Sequence, residues 1–490
     1  MAESVEAVRL TDELGPVDYL MHRGEANPRT RSGIMALELL DTTPDWQRFR
    51  TRLENASRRV LRLRQKVVVP TLPTASPRWV VDPDFNLDFH VRRIRVSGDG
   101  TLREVFDLAE LILQSPLDIS RPLWTATLVE GLRDGKAATL LHVSHAVTDG
   151  VGGVEMFAEI YDLERDPPAK PTPPLPVPQD LSPNDLMRQG LNRLPVAMVG
   201  GVLNALSGAA SAAGRAILEP ASTVSGIVGY ATSGVRVMNR AAEPSPLLRR
   251  RSLATRSEAI DIPLSDLHKA AKAGGGSIND AYLAGLCGAL RRYHEALGVP
   301  IGTLPMAVPV NLRADADTAG GNRFTGVNLA APIGTVDPVS RMKKVRAQMT
   351  QRRDEPAMNI IGSLAPVLSV LPTAVLEGIT GSVIGSDVQA SNVPVYPGDT
   401  YIAGAKVLRQ YGIGPLPGVA MMVVLISRGG WCTITVRYDR ASVRNEALFA
   451  QCLLEGFNEI LALAGDPPPR AVPASFVEQP DSESQSVAGS

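Results

Sequence analysis

The chain has 490 residues, 44% apolar and 21% charged, with a formal net charge of −1. That length exceeds what one hydrophobic core usually organises, so two domains are expected. The balanced charge excludes a composition-driven attraction to nucleic acid.

Three cysteines, Cys287, Cys432 and Cys452, are odd in number and lack metal-ligand spacing. They predict a reducing, cytoplasmic setting rather than a disulfide framework. No basic-apolar-cleavage signal opens the chain, so no secretory leader is expected.

In chain order, Leu10–Leu20 reads as a helical turn that feeds a strand over Ser32–Leu40. Residues 46–66 place Leu53, Val60 and Leu63 at helical spacing in an Arg-rich stretch, an amphipathic surface helix. His90 follows Phe89 in a Trp79–Arg92 segment, and its structural reading outweighs a place in a cleft. Thr101 and Glu104 form a capping-box pattern, and the helix behind it stops before Pro116. Asp118 and Arg121, three apart, are placed to brace one turn through charged hydrogen bonds.

Ala137–Leu141 is an apolar run that predicts a buried strand. It leads to LLHVSHAVTDGVGG over Leu140–Gly153, with a turn at Thr148-Asp149-Gly150. Val154, Phe157, Ile160 and Tyr161 then recur at helical spacing. His145 therefore lies at the mouth of a strand-turn-helix unit, where the scaffold holds a side chain still beside a cleft. An imidazole can take and return protons near neutrality. Asp149 is placed to orient the loop, and Gly150 permits positive φ or close backbone approach. Ser144 precedes His145, but strand neighbours point to opposite faces, which disfavours a Ser-His dyad. His142, His145 and Asp149 match no recognised metal-ligand pattern.

Eight prolines between Pro167 and Pro183 mark a linker. Residues 194–214 carry no charge but are rich in glycine and poor in large apolar residues. They read as a membrane-surface helix or a connecting helix, not a bilayer span. A strand at Glu258–Ile262 opens the second half, followed by a helix from Pro263 and the turn Gly274-Gly275-Gly276. No Lys-Ser/Thr follows at P-loop spacing. Ser277 is a good N-cap for the next helix. The boundaries expected are 1–165, a linker and apolar connecting segment over 166–254, 255–466, and a disordered tail over 467–490, rich in Pro, Ser and Glu.

Ser144-His145-Ala146-Val147-Thr148-Asp149-Gly150 resembles the HHxxxDG motif of the CoA-dependent acyltransferase superfamily, with Ser144 in place of the first His. Pro116-Leu117-Asp118-Ile119-Ser120-Arg121-Pro122-Leu123-Trp124 is similar to the PLDxxRPLW signature of the bacterial wax ester synthase/diacylglycerol acyltransferases. Further matches run in family order. Ser277–Ala284 resembles "tvNDvvLA", Ala307–Arg313 "vPvslR", Gly320–Phe324 "GN.f", and Ala390–Pro394 "SNVPG" with Val395 where Gly is expected. The resemblance covers about residues 10–465.

That resemblance implies an α/β fold of two chloramphenicol acetyltransferase-like domains, with mixed sheets and a tunnel at their interface. It implies fatty acyl transfer from acyl-CoA to diacylglycerol or a long-chain alcohol, with His145 as general base and no acyl-enzyme. Asp149 would share the catalytic site. Gly150, Asn279, Asp280, Ser391 and Asn392 would line the substrate site, although helix capping is an equal reading for Asn279 and Asp280. Asp118 and Arg121 stay structural. No cofactor beyond the acyl-CoA substrate is expected, and no metal or nucleic acid. The implied setting is cytoplasmic, peripheral to a membrane or lipid droplet. A weakly catalytic lipid-binding homologue, suggested by Ser144 and Val395, and a transferase for another hydroxyl acceptor stay open.

Overall fold

The computed structural model describes residues 12–72, 74–147, 159–168, 171–193, 241–310, 325–353, 386–393 and 395–475. Asp149, Gly150, the helix expected after the turn over Val154–Phe157, residues 194–214, Asn311–Arg313, the Gly320–Phe324 turn and Pro394 lie outside them.

The first half runs α1 (Pro16–Gly24), β1 (Gly33–Leu40), α2 (Trp46–Arg59), β2 (Gln65–Val68), β3 (Arg78–Val81), α3 (Leu87–His90), β4 (Val91–Arg95), α4 (Leu102–Gln114), β5 (Trp124–Glu130), β6 (Ala137–Ser144) and α5 (Pro183–Arg193). All eight residues of β6 are buried, because β1 and β5 flank it in the sheet and helices cover both faces. Phe49, Leu53 and Ala56 of α2 join the core on one face. Val105, Phe106, Ala109 and Leu113 of α4 fill the other. The α4 capping box forms as expected, with Thr101 and Glu104 each accepting from the other's backbone.

The second half contains β7 (Thr255–Pro263), α6 (Leu264–Ala273), α7 (Ile278–Ala296), β8 (Leu304–Val310), β9 (Thr325–Ala331), α8 (Pro338–Arg353), β10 (Val388–Val393), β11 (Tyr401–Ile402), β12 (Ala405–Ile413), β13 (Met421–Arg428), β14 (Trp431–Asp439), α9 (Glu446–Leu461) and β15 (Val472–Pro473). Helices α7 and α9 pack on each other across small residues. A Cβ on Gly456 would stand 2.3 Å from the Ala289 amide nitrogen, so only glycine permits this approach. Among the described residues, Glu446–Ala464 is long and apolar enough to cross a membrane by length and composition. Its Phe449, Leu453, Phe457 and Ile460 instead lie within the second core.

Strands β2 and β3 form a small antiparallel sheet, and the two large sheets are both mixed. The larger is ordered β15-β7-β14-β13-β10-β8-β9, with β10 parallel to β8 and β13. The other is ordered β11-β12-β1-β6-β5-β4. Strands β11 and β12 thus come from the second half and complete the first sheet, with Met35 opposite Ile413 and Leu40 opposite Val407. The first sheet is built from both ends of the chain.

Two segments depart from the expected organisation. Within the linker, α5 docks Leu186 against Val68 and Val80. The tail is not disordered throughout: β15 pairs with β7, Val472 opposite Asp261. Ser475 is fully buried, and its Oγ accepts from the Ala259 amide at 2.6 Å. Pro- and Ser-rich composition reads as solvated chain, but the free edge of β7 offers backbone partners that composition does not record.

Candidate active site

Strand β6 ends against the start of β1. Gly33 is level with Ser144, and the His145 amide donates to the Ser32 carbonyl at 3.2 Å. The chain then turns, with the Val147 amide bonded to the Ser144 carbonyl at 3.0 Å. His145 therefore sits one residue past the last strand position, still tied to the neighbouring strand. It is partly exposed, yet its dense surroundings lower its pKa from 6.5 to about 4. Its own backbone carbonyl opposes that shift by hydrogen bonding to the ring. The imidazole is neutral at physiological pH and able to accept a proton.

Ser144 is fully buried and turned away from this chemistry. Its Oγ donates to Glu25 Oε1 at 2.7 Å, and the Ala146 amide donates to Ser144 Oγ at 3.3 Å. Ser32 Oγ reaches the same Oε1 at 2.8 Å. Glu25 has no exposed surface, and desolvation raises its pKa against the pull of the two serines and Arg31. The sequence reading did not single out Glu25. It closes α1 as a C-cap, eight residues before the strand it supports, and nothing in the local pattern links it to residue 144.

The remaining expected residues separate by role. His90 is structural: it is fully buried, its Nδ1 pairs with the Trp124 carbonyl at 2.7 Å, and its ring stacks between Phe85 and Trp124. Asp118 meets Arg121 Nε at 3.2 Å and accepts from Ser120, while Arg121 covers the Phe89 ring. This is the expected brace ahead of β5. Asp280 is a cap: its Oδ2 accepts from the Ser277 amide and hydroxyl, both at 2.8 Å. Asn279 lies half-buried in the same first turn. In β10, Ser391 is half-buried and Asn392 exposed. Ser391 is level with Val424 of β13, and Val424 lies against Gly412 of β12, so this strand runs beside the seam where the halves meet. Val395 packs with Val393 and Leu416 on Met422, Val424 and Ile426. His142 is buried with its pKa lowered to about 3 by desolvation. Among the described residues no cluster of His, Cys, Asp or Glu could hold a metal, and all three cysteines are free and buried.

Two mixed sheets sharing strands across a seam, with a neutral histidine at the end of a central strand, are the arrangement of the chloramphenicol acetyltransferase-like fold. The wax ester synthase/diacylglycerol acyltransferase catalytic domain model matches residues 7–282, and the model of the C-terminal domain of that family matches residues 320–461. A Mycobacterium tuberculosis protein, named as a candidate diacylglycerol O-acyltransferase, is 85% identical over the full length of both chains. The wax ester synthase/diacylglycerol acyltransferase of Marinobacter aquaeolei VT8 shares the fold with a TM-score of 0.64 at 19% identity, covering 92% of this chain and 100% of its own. A starter condensation domain of rhizomide synthetase, solved as a variant with C8-CoA, shares it with a TM-score of 0.53 at 12% identity, covering 94% and 96%. The chain belongs to the wax ester synthase/diacylglycerol acyltransferase family, and it is an acyltransferase of that type.

Proposed function

We propose that the protein transfers a fatty acyl group from acyl-CoA to the hydroxyl of diacylglycerol or a long-chain alcohol, with His145 as general base. The observation that carries this reading is the neutral His145 at the strand end, its amide tied to the Ser32 carbonyl of the neighbouring strand. Nε2 removes the acceptor's hydroxyl proton as the oxygen attacks the thioester carbonyl. The tetrahedral oxyanion collapses, the C–S bond breaks, and the imidazolium returns its proton to the CoA thiolate. No acyl-enzyme is required. Asn279 or a backbone amide would donate to the oxyanion, and Asp149 would hold the loop.

The apolar cluster of Val393, Val395 and Leu416 on β13 supports a fatty chain in the seam. It also gives Val395, the departure from the family glycine, a packing role. The burial of Ser144 against Glu25 favours catalysis over a purely lipid-binding homologue, because the departure from the double-His motif is absorbed without touching the base. Gly150, Ser391 and Asn392 would line the substrate site. We place the enzyme in the cytoplasm, with residues 194–214 contacting a membrane or lipid droplet.

The test is release of free CoA from a panel of acyl-CoAs, with and without hydroxyl acceptors. Acceptor-dependent release is expected. Release at an equal rate without acceptor would make the protein a thioesterase, and no release from any pair would leave the lipid-binding reading.

A further inference from the structure

We propose that Glu25 is a positioning residue for His145, holding the catalytic turn through Ser32 and Ser144 where the family motif has its first histidine. This rests on the reading of His145 as the base.

The geometry converges on one oxygen. Glu25 Oε1 accepts from Ser32 Oγ at 2.8 Å and from Ser144 Oγ at 2.7 Å. Ser32 and Ser144 are the residues through which the two strands grip the base. The Ser32 carbonyl holds the His145 amide, and Ser144 holds the amides of Ala146 and Val147 through its hydroxyl and its carbonyl. One carboxyl oxygen therefore ties the last residue before β1 to the last residue of β6, with His145 immediately beyond. Glu25, Ser32 and Ser144 are all buried, at 0%, 6% and 0% exposure, so water cannot substitute for these contacts.

Glu25 is itself fixed. Its amide donates to the His22 carbonyl at the end of α1, and its carbonyl accepts from Arg31 Nε at 3.1 Å. Arg31 Nη1 in turn caps the Gln114 carbonyl at the end of α4 at 2.7 Å. Helix α1 and its following loop thus deliver a carboxyl to the underside of the catalytic turn. Glu25 Oε2 is buried and has no hydrogen-bond partner among the described residues. Desolvation of this half-satisfied carboxyl raises its pKa, against the pull of the two serines and Arg31. Both serine contacts use Oε1 as an acceptor, so an amide of the same shape can replace the carboxyl.

The experiment compares His145→Ala, Glu25→Ala and Glu25→Gln, each assayed for kcat, KM for acyl-CoA and melting temperature. Glu25→Ala is expected to lower kcat by about 10²-fold, the scale of an ångström-sized misplacement of a reacting group, with KM for acyl-CoA unchanged. Glu25→Gln is expected to recover most of that loss, because its amide oxygen can accept from both serines. If Glu25→Ala does not fold, the Ser32→Ala/Ser144→Ala double variant severs the same contacts and is expected to show the same kcat loss. Wild-type kcat in Glu25→Ala or in the double variant overturns the proposal, as does a Glu25→Gln enzyme as slow as Glu25→Ala. Should His145→Ala turn over normally, the base assignment itself falls. Should His145→Ala be inactive while Glu25→Ala is not, only the role of Glu25 falls.

Discussion

The two sheets differ in what fills the space around them. The second sheet and helices α6, α7 and α9 share one continuous apolar cluster, from Leu248 through Tyr282 and Leu290 to Phe457 and Leu461. The first sheet is covered by two separate clusters, one under α2 and one under α4. Around it lie buried polar groups: Glu25 with Ser32 and Ser144, Glu38 with Thr139 and Tyr161, and His90 and His142. The second half is built as a packed core. Both halves bury titratable groups, Glu258, His294 and Arg341 among them in the second, but in the first Glu25 lies against the turn that carries His145. Changes in the first half should therefore act on turnover before stability, and changes in the second on stability before turnover.

The largest effect that can break this contrast is on catalysis. His145→Ala is expected to lower kcat by about 10²–10⁴-fold with an unchanged melting temperature, because the partly exposed ring leaves no core cavity. The wild-type kcat/KM profile should keep its acid limb near the lowered pKa of about 4 rather than near 6.5. A limb near 6.5 would mean that burial does not set the base.

Next is the opposite case. Phe457 is fully buried and packs against Gly285 of α7. Phe457→Ala should destabilise the protein by about 3–5 kcal/mol in chemical denaturation while leaving kcat per folded molecule intact. A kcat that fell with it would show that the second core sets the site geometry.

Acid sharpens the comparison. His22, His90, His142 and His145 in the first half, and His294 in the second, have pKa values lowered by burial. Each gives stability present above its unfolded pKa near 6.5 and lost as pH falls toward its folded value, at about 1.4 kcal/mol per pH unit. Glu25, Glu38 and Asp261 are shifted upward and act in the reverse sense, losing their contribution as pH rises through their folded values. Five histidines outweigh three carboxyls, so the melting temperature should fall between pH 6.5 and 4, and hydrogen exchange should show the first sheet opening first. A flat melting curve over that range would contradict the burial of these rings.

The most local effect is at the seam. A Cβ on Gly412 would lie 2.8 Å from Val424 Cγ1 and 3.1 Å from Ile426 Cδ1. Gly412→Val should destabilise by about 1–3 kcal/mol through overpacking and narrow the seam. Its signature is a greater loss of activity with long than with short acyl-CoAs. Equal loss at every chain length would place the acyl chain elsewhere.

Much of this organisation is legible in the sequence, and the illegible part has a common cause. The Thr101–Glu104 box, strand β6 and the Ser277 cap follow from spacing and local hydrogen-bonding chemistry, and so does the helix at Trp46–Arg59, which stops short of the expected residue 66 because Val60 turns extended and β2 begins at Gln65. His145 is legible because a strand pattern and a turn pattern meet at it. Glu25, the insertion of β12 beside β1 and the return of Ser475 to β7 are not. Each depends on partners between about a hundred and several hundred residues away, and periodicity carries no information about which edge a strand will choose. Ser144 is intermediate. Its opposite facing from His145 follows from strand alternation, but the carboxyl that receives it does not. That carboxyl also limits what can replace Ser144. A fully buried Ser144 bonded to Glu25 leaves no room for a larger ring, so Ser144→His would displace the clamp rather than improve the base.

The placement of β12 also sets a timetable for synthesis. Strand β1 is made early, yet the strand that covers its outer edge arrives more than three hundred residues later; the Lys406 amide bonds to Asp41 across a sequence separation of 365. At roughly 5–20 residues per second, that is on the order of 20–70 s on the ribosome with the edge of β1 unpaired. An open strand edge is a template for pairing with other chains. The nascent first half must therefore either be shielded during that interval or delay docking β1, the strand beside which the catalytic turn is anchored through Ser32 and Gly33.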